Sequence, residues 1–257
     1  MEVAAVIPAR YGSTRLPAKV LADLGGKPVI RRIWENCVAA GVFSRVIVAA
    51  DHPAVLAACR SFGADAVMTD PAHGSGTERV AEVAQCLAEP VVVNVQGDEP
   101  FIDAAVLAPV VARAREGDAD VVTPVTPITS GGELADPSVV KAVLGEAGRA
   151  LYFSRWPVPF LRDAWSADPC GAARGMPQIP PGLWWKHLGI YAFRREVLLR
   201  LVKLPRHPLE ETEKLEQLRW LAHGAAIVAV AVENRGVSID TADDLERARG
   251  MLHGRDE

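Results

Sequence analysis

An α/β fold, with a mainly parallel sheet flanked by helices, is what this 257-residue sequence predicts. Three observations carry the prediction. Short apolar runs alternate with segments of helical period through the first half of the chain, which implies right-handed β-α-β crossovers. Runs such as Arg45 to Ala50 are apolar almost without interruption, as expected of strands covered on both faces. Nearly half the residues are apolar, enough for one large core, so 1–257 reads as a single domain with a sub-region over roughly 120–222.

Taken in order, Val3 to Ile7 reads as the first strand. Pro28 to Ala40 reads as a helix, with Ile30, Ile33, Trp34, Cys37 and Val38 on one face and Gly41 closing it. The strand Arg45–Ala50 leads to a helix over Pro53–Phe62, with proline in its first turn and Gly63 after it. Then come a strand at Ala66–Met68, a helix at Thr77–Leu87 and a central strand at Val91–Val95. Asp103 caps the next helix, and Pro109 inside it predicts a kink or a later start. In the second half, Asp120–Thr123, Ser138–Leu144, Leu188–Phe193 and Ala226–Val232 read as strands. Arg195–Leu204 and Glu210–Ala222 read as helices, and Trp156–Gly182, rich in Pro, Gly, Ala and Arg, as a long loop. Thr241–Leu252 closes the fold as a helix with Thr241 and Asp244 at capping-box spacing.

The formal net charge is −4. Without a basic run this argues against nucleic acid as the main partner, and an anionic ligand must be met by local Arg and Lys. No apolar stretch approaches the roughly 20 residues needed to cross a bilayer, so no membrane partner is expected. The N-terminal residues lack the basic head of a signal peptide. Four cysteines, Cys37, Cys59, Cys86 and Cys170, show no CxxC or metal spacing, and three fall in predicted helices beside apolar residues. They read as free thiols of a reducing cytoplasm.

Ligands of such sheets bind beyond the carboxyl ends of the strands, so the residues after each strand are the candidates. The segment from Pro8, Ala9 and Arg10 to Arg15 and Lys19 offers two arginines, a lysine and small residues. It is a phosphate cradle or a solvated basic turn; it is not a Walker A loop. Gln96-Gly97-Asp98-Glu99 follows the apolar central strand, and its acids suit either a divalent cation or a helix cap. Asp240, between an apolar strand at Val237–Ile239 and a helix start, is a near-cap acid or the partner of Asp98 in a two-carboxylate magnesium site. Ser75-Gly76-Thr77 opens a helix N-terminus, where Thr77 caps and backbone groups can approach a ligand. His187 before a strand is a structural hydrogen-bonder by default. Glu213 and Gln217, four apart, share a helix face, which could read sugar hydroxyls or is simply a solvated face.

The stretches IPARYGSTRLPAK, LGGKPVI, AADHPAV, GSGTERVAEV, VVNVQGDEP, YFSR, HLGIYAFRR, LEQLR and IDTADDLERAR run in order from residue 7 to residue 249. This ordered set resembles the 3-deoxy-manno-octulosonate (Kdo) cytidylyltransferases. The resemblance implies a fold of nucleotide-diphospho-sugar-transferase, Rossmann-like type with a smaller dimerisation element, and a homodimer. It implies transfer of CMP from CTP to Kdo with Mg2+, releasing pyrophosphate, for lipopolysaccharide assembly. By the same resemblance, Pro8, Ala9, Arg10, Arg15, Lys19, Ser75, Gly76, Thr77 and Asp98 meet the nucleotide. Asp98 and Asp240 hold magnesium, and Arg10, Lys19, Asp98 and Asp240 form the catalytic set. Gln96, Arg155, His187, Tyr191, Glu213 and Gln217 fall at the sugar. The chain departs from the pattern between Trp156 and Trp185.

Three rival readings remain at this level. They are a cytidylyltransferase for another acidic sugar such as sialic acid, an enzyme that makes UDP- or GDP-sugars from sugar 1-phosphates, and a non-catalytic nucleotide sensor. HLGIY and LEQLR favour Kdo. Joint presence of Lys19, Asp98 and Asp240 disfavours the sensor.

Overall fold

The computed structural model describes residues 1–12, 16–165, 168–176, 179–180, 182–233, 236 and 238–253. The first half alternates β1 (Val3–Ala9), α1 (Val29–Ala39), β2 (Arg45–Ala50), α2 (Pro53–Ser61), β3 (Asp65–Met68), α3 (Gly76–Ala84), β4 (Val91–Asn94) and α4 (Ala104–Ala114). The second half holds β5 (Val121–Pro127), α5 (Gly131–Ala135), β6 (Lys141–Leu144), β7 (Ala150–Ser154), α6 (Pro169–Arg174), β8 (Trp185–His187) and β9 (Tyr191–Arg194). It ends with α7 (Arg195–Leu201), α8 (Pro208–Glu213), α9 (Glu216–Ala222), β10 (Ile227–Ala231) and α10 (Ala242–His253).

One sheet runs β3-β2-β1-β4-β9-β5-β8-β6-β7, with β10 paired to β5. The α/β class stands, and the sheet is mixed. Its parallel ladders join β3, β2, β1 and β4, and separately β5 and β10. The ladders β4–β9, β9–β5, β5–β8, β8–β6 and β6–β7 are antiparallel. Alternate residues of β1 feed opposite cores, as the two-residue period of a strand requires. Ala5 and Ile7 pack with Ile30 and Ile33 of α1 and Val106 and Leu107 of α4. Ala4 and Val6 pack with Val80 of α3, Leu198 of α7 and Trp220 of α9. The 3-layer arrangement leaves the ends of β1 and β4 side by side, where the loops after them meet.

Several expected elements change on folding. The helix over 210–222 is two helices, because Lys214 takes a left-handed backbone (φ 54°) between α8 and α9. The strand expected over 188–193 is only β9, since Leu188–Ile190 are irregular, and β8 precedes it as a strand the sequence did not suggest. β7 and α5 were not apparent in the period of the sequence. The loop over 156–182 contains α6 and covers a third apolar cluster of Ile128, Leu134, Trp165, Ala173 and Trp184. α4 begins directly after its cap, the Asp103 carboxylate accepting from Ala105 N at 2.9 Å, and accommodates Pro109 inside. The four thiols are unpaired, and Cys86 is exposed whereas Cys37 and Cys59 are buried. Among the described residues no helix is long and apolar enough to cross a membrane.

Candidate active site

Two strand ends and one loop build the centre. After β1 the chain turns back through a 3-10 turn at Lys19–Leu21, entered by Ala18 in a left-handed conformation (φ 52°). Ala18 N donates to Tyr11 O at 3.1 Å, which folds Lys19 back over the strand end. After β4, Gly97 lies so close to β1 that a Cβ there would stand 2.5 Å from the carbonyl oxygen of Pro8. Only glycine allows that approach, and it carries Asp98 to the end of β1. Asp240 arrives differently from what the sequence predicts. The apolar strand before it, β10, ends at Ala231, and Ser238 and Ile239 are irregular. Its segment is fastened to Asp98 by the backbone itself, Ile239 N donating to Asp98 O at 2.9 Å. The expected capping box completes the placement: Asp244 accepts from Asp240 N at 3.1 Å and Thr241 N at 2.8 Å, and Asp244 N donates to Thr241 Oγ1.

Lys19, Asp98 and Asp240 converge. The Lys19 ammonium donates to Asp98 Oδ2 at 2.9 Å and to Asp240 Oδ1 at 3.1 Å. Burial opposes its charge, but the fields and hydrogen bonds of the two carboxylates outweigh burial and hold its pKa above the ordinary value. Beside it, Glu99 is pushed up to about 8 by burial and by the adjacent Asp98 charge. The raised pKa of Glu99 is a feature that spacing alone could not reveal, because Gln-Gly-Asp-Glu reads equally as a surface turn.

Two cavities meet at this triad. The smaller, about 360 Å³, is bounded by Pro8, Arg10, Gly12, Lys19, Gly76 and Asp98. The larger, about 1000 Å³, is bounded by Gln96, His187, Tyr191, Gln217, Lys186 and Glu216 among others. Gln96, Asp98 and Asp240 line both. Gly76 owes its place at the wall to close packing, since a Cβ there would lie 3.2 Å from the Pro8 ring.

The larger cavity is floored by an aromatic cluster. His187 is buried, and its ring packs edge-on to Phe153 and against Tyr191. Its Nε2 lies 2.9 Å from Thr123 Oγ1, whose own proton goes to Ile190 O at 2.7 Å. The hydroxyl therefore accepts from His187, which places the imidazole proton on Nε2. Burial lowers its pKa to about 3, so the ring is neutral. Burial, and then the charge of Glu216, raises the Tyr191 phenol well above its ordinary value.

Other expected residues fall elsewhere. Arg15 lies outside the described residues. Ala9 packs into the core between Pro8 and Arg10. Ser75, not Thr77, caps α3, accepting from Glu78 N. The hydroxyls of Ser75 and Thr77 turn away from the smaller cavity to the Glu216 carboxylate, at 3.2 and 2.5 Å. The break at Lys214 takes Glu213 off the face of Gln217 and puts Glu216 on the cavity wall instead. Glu213 accepts from Ser154 Oγ and Arg155 N, and its carbonyl accepts from Arg155 Nε. Arg155 and Glu213 thus hold each other, and neither lines the cavity. Continuous helical period across 210–222 concealed Glu216; only the backbone break exposes it.

Comparison with known proteins gives the family. Residues 4–227 match the family model described as Cytidylyltransferase. The chain is 46% identical over 252 residues to the 3-deoxy-manno-octulosonate cytidylyltransferase of Halorhodospira halophila, covering 96% of this chain and 95% of that one. It is 47% identical over 255 residues to that of Methylococcus capsulatus, covering 97% and 96%. A solved CMP:2-keto-3-deoxy-manno-octonic acid synthetase complexed with CTP superposes with a TM-score of 0.89 at 38% identity, covering 99% of this chain and all of that one. The chain therefore belongs to the cytidylyltransferase family, among the 3-deoxy-manno-octulosonate cytidylyltransferases.

Proposed function

We propose that this protein transfers CMP from CTP to the anomeric hydroxyl of Kdo, giving CMP-Kdo and pyrophosphate for lipopolysaccharide biosynthesis. The observation that carries the reading is the position of Lys19, Asp98 and Asp240 where two unequal cavities join. The smaller cavity, with Arg10 and Lys19, suits a triphosphate. The larger one, with Gln96, His187 and Gln217, offers neutral hydrogen-bonding groups to a sugar's hydroxyls. The acceptor hydroxyl then faces the α-phosphorus across the triad, and displacement of pyrophosphate needs no protein nucleophile. Lys19 and Arg10 stabilise charge on the phosphoryl oxygens and the departing pyrophosphate.

Asp98 and Asp240 fit a divalent cation of the Mg2+ type: both are hard oxygen donors and both already converge on one positive group. Among the described residues no group of three or more His, Cys, Asp or Glu gathers to hold a metal, so phosphate oxygens and water would complete its shell. When bound there, Mg2+ would lower the pKa of the acceptor hydroxyl and offset phosphate charge. We place the reaction in the cytoplasm, consistent with four free thiols, and assign a homodimer from the family resemblance.

A magnesium titration of initial pyrophosphate release tests this reading, with CTP and Kdo, on the parent and on Asp98→Asn, Asp240→Asn and the double variant. Each single variant should remain folded by circular dichroism and lose orders of magnitude in turnover. The double variant should be little worse, because the two acids act as one unit. A folded Asp240→Asn protein with the parent's rate and magnesium midpoint would reduce Asp240 to a capping residue. Equal turnover with ATP or GTP, or with sialic acid in place of Kdo, would sink the substrate assignment.

A further inference from the structure

Lys141 is fully buried in β6, between β7 and β8. Among the described residues its ammonium forms no ion pair with a carboxylate, although the charges of Asp136 and Glu213 act on it from further off. It donates to three backbone carbonyls: Asp136 O at 2.8 Å, Val139 O at 2.8 Å and Arg155 O at 2.7 Å. All three N–H donors of the ammonium are thereby used. The next cation continues the connection, since Arg155 donates from Nη1 to Pro137 O at 2.9 Å and from Nε to Glu213 O at 2.8 Å. These bonds form an unbroken brace. At one end is the segment 136–140, whose Asp136, Ser138, Val139 and Val140 form one wall of the larger cavity. At the other is Glu213, followed directly by Lys214 to Gln217, which belong to the cavity's boundary as well. The braced wall also sets the placement of His187, because His187 N donates to Val140 O at 2.9 Å.

We propose that Lys141 is a positioning residue for the acceptor half of the reaction: it fixes the 136–139 wall of the larger cavity, and through Arg155 the spacing to the 213–217 wall, without touching either substrate. This rests on the reading above that the larger cavity takes the acidic sugar. A buried charge held by backbone carbonyls costs more than an apolar side chain of similar size would, and what it supplies in return is the fixed spacing of these two walls. The smaller cavity shares no member of the brace, so the effect of loosening it should be one-sided.

The test is steady-state kinetics of Lys141→Met with Kdo and CTP varied separately, together with a thermal melt. We expect the KM for Kdo to rise at least tenfold while the KM for CTP stays within twofold. A purely structural role would lower the melting temperature and the active fraction, hence the apparent kcat, and leave both KM values at the parent's; that result overturns the proposal, as does a parallel rise in both. Should Lys141→Met fail to fold, Lys141→Arg decides in the same way, since it keeps the charge and the donors but changes their reach. The parent is the control for the underlying reading. A parent that releases no pyrophosphate with CTP and Kdo defeats the assigned reaction, whereas an active parent with no Kdo-selective shift in the variant defeats only the role of Lys141.

Discussion

His187 is where a single side chain shows how burial selects a chemical state. With its Nε2 proton given to Thr123 and its ring between Phe153 and Tyr191, the imidazole is too buried to carry a charge readily. Its pKa in the fold is about 3 against 6.5 when exposed. As pH falls below 6.5 the unfolded chain takes up a proton that the folded chain refuses, so His187 contributes stability that is complete above 6.5 and lost as pH falls towards 3. His187→Gln should therefore show a shallower loss of urea-unfolding free energy between pH 6.5 and 4 than the parent. Identical slopes would mean that the ring titrates in the fold. Lys19 obeys the opposite balance: it is partly buried, but two carboxylates reach it, and its charge is kept.

At the level of elements, the junction of β1 and β4 decides whether a site exists. Pro8 and Gly97 are in backbone contact, and the ladder is extended past β4 by Val95 N donating to Val6 O at 3.1 Å. Gly97→Ala would force the two strand ends apart, since a backbone carbonyl cannot yield as a flexible side chain does. Overpacking of this kind typically costs about 1–3 kcal/mol. We expect a lower urea midpoint and a raised KM for CTP, because Pro8 and Asp98 line the same cavity. A variant with the parent's midpoint and KM would show that the loops separate freely. The helices were easier to read than this junction. Asp103 caps α4 as a short polar residue before an apolar period should, whereas in α3 the cap falls on Ser75, two residues before the expected Thr77. Backbone proximity between residues 8 and 97, in contrast, leaves no local mark beyond one glycine.

Across the whole molecule, the sheet ends at one side with β7, which carries exposed Leu151 and leads to exposed Trp156 and Phe160. An open strand edge with large apolar residues invites pairing. We expect light scattering to give twice the mass of the chain, and Leu151→Arg to shift it towards monomer without changing the circular dichroism spectrum. A parent that is monomeric at assay concentrations would remove the homodimer assigned by resemblance.

The sequence by itself determined the α/β class, because strand and helix periods are local, and it determined the reaction class, because nine ordered motifs survive without any contact being known. It also singled out Lys19, Asp98 and Asp240, since strand ends and capping acids carry recognisable residue types. Only the tertiary structure decided how these meet. Asp240 reaches Asp98 through the Ile239–Asp98 backbone bond and not through a strand of its own. The left-handed Lys214 exchanges Glu213 for Glu216 at the cavity, and Arg155 becomes a brace on carbonyls. The Lys19–Asp240 pair joins residues 221 apart and the Arg155–Glu213 bond joins residues 58 apart, and no local period encodes a contact at such separations.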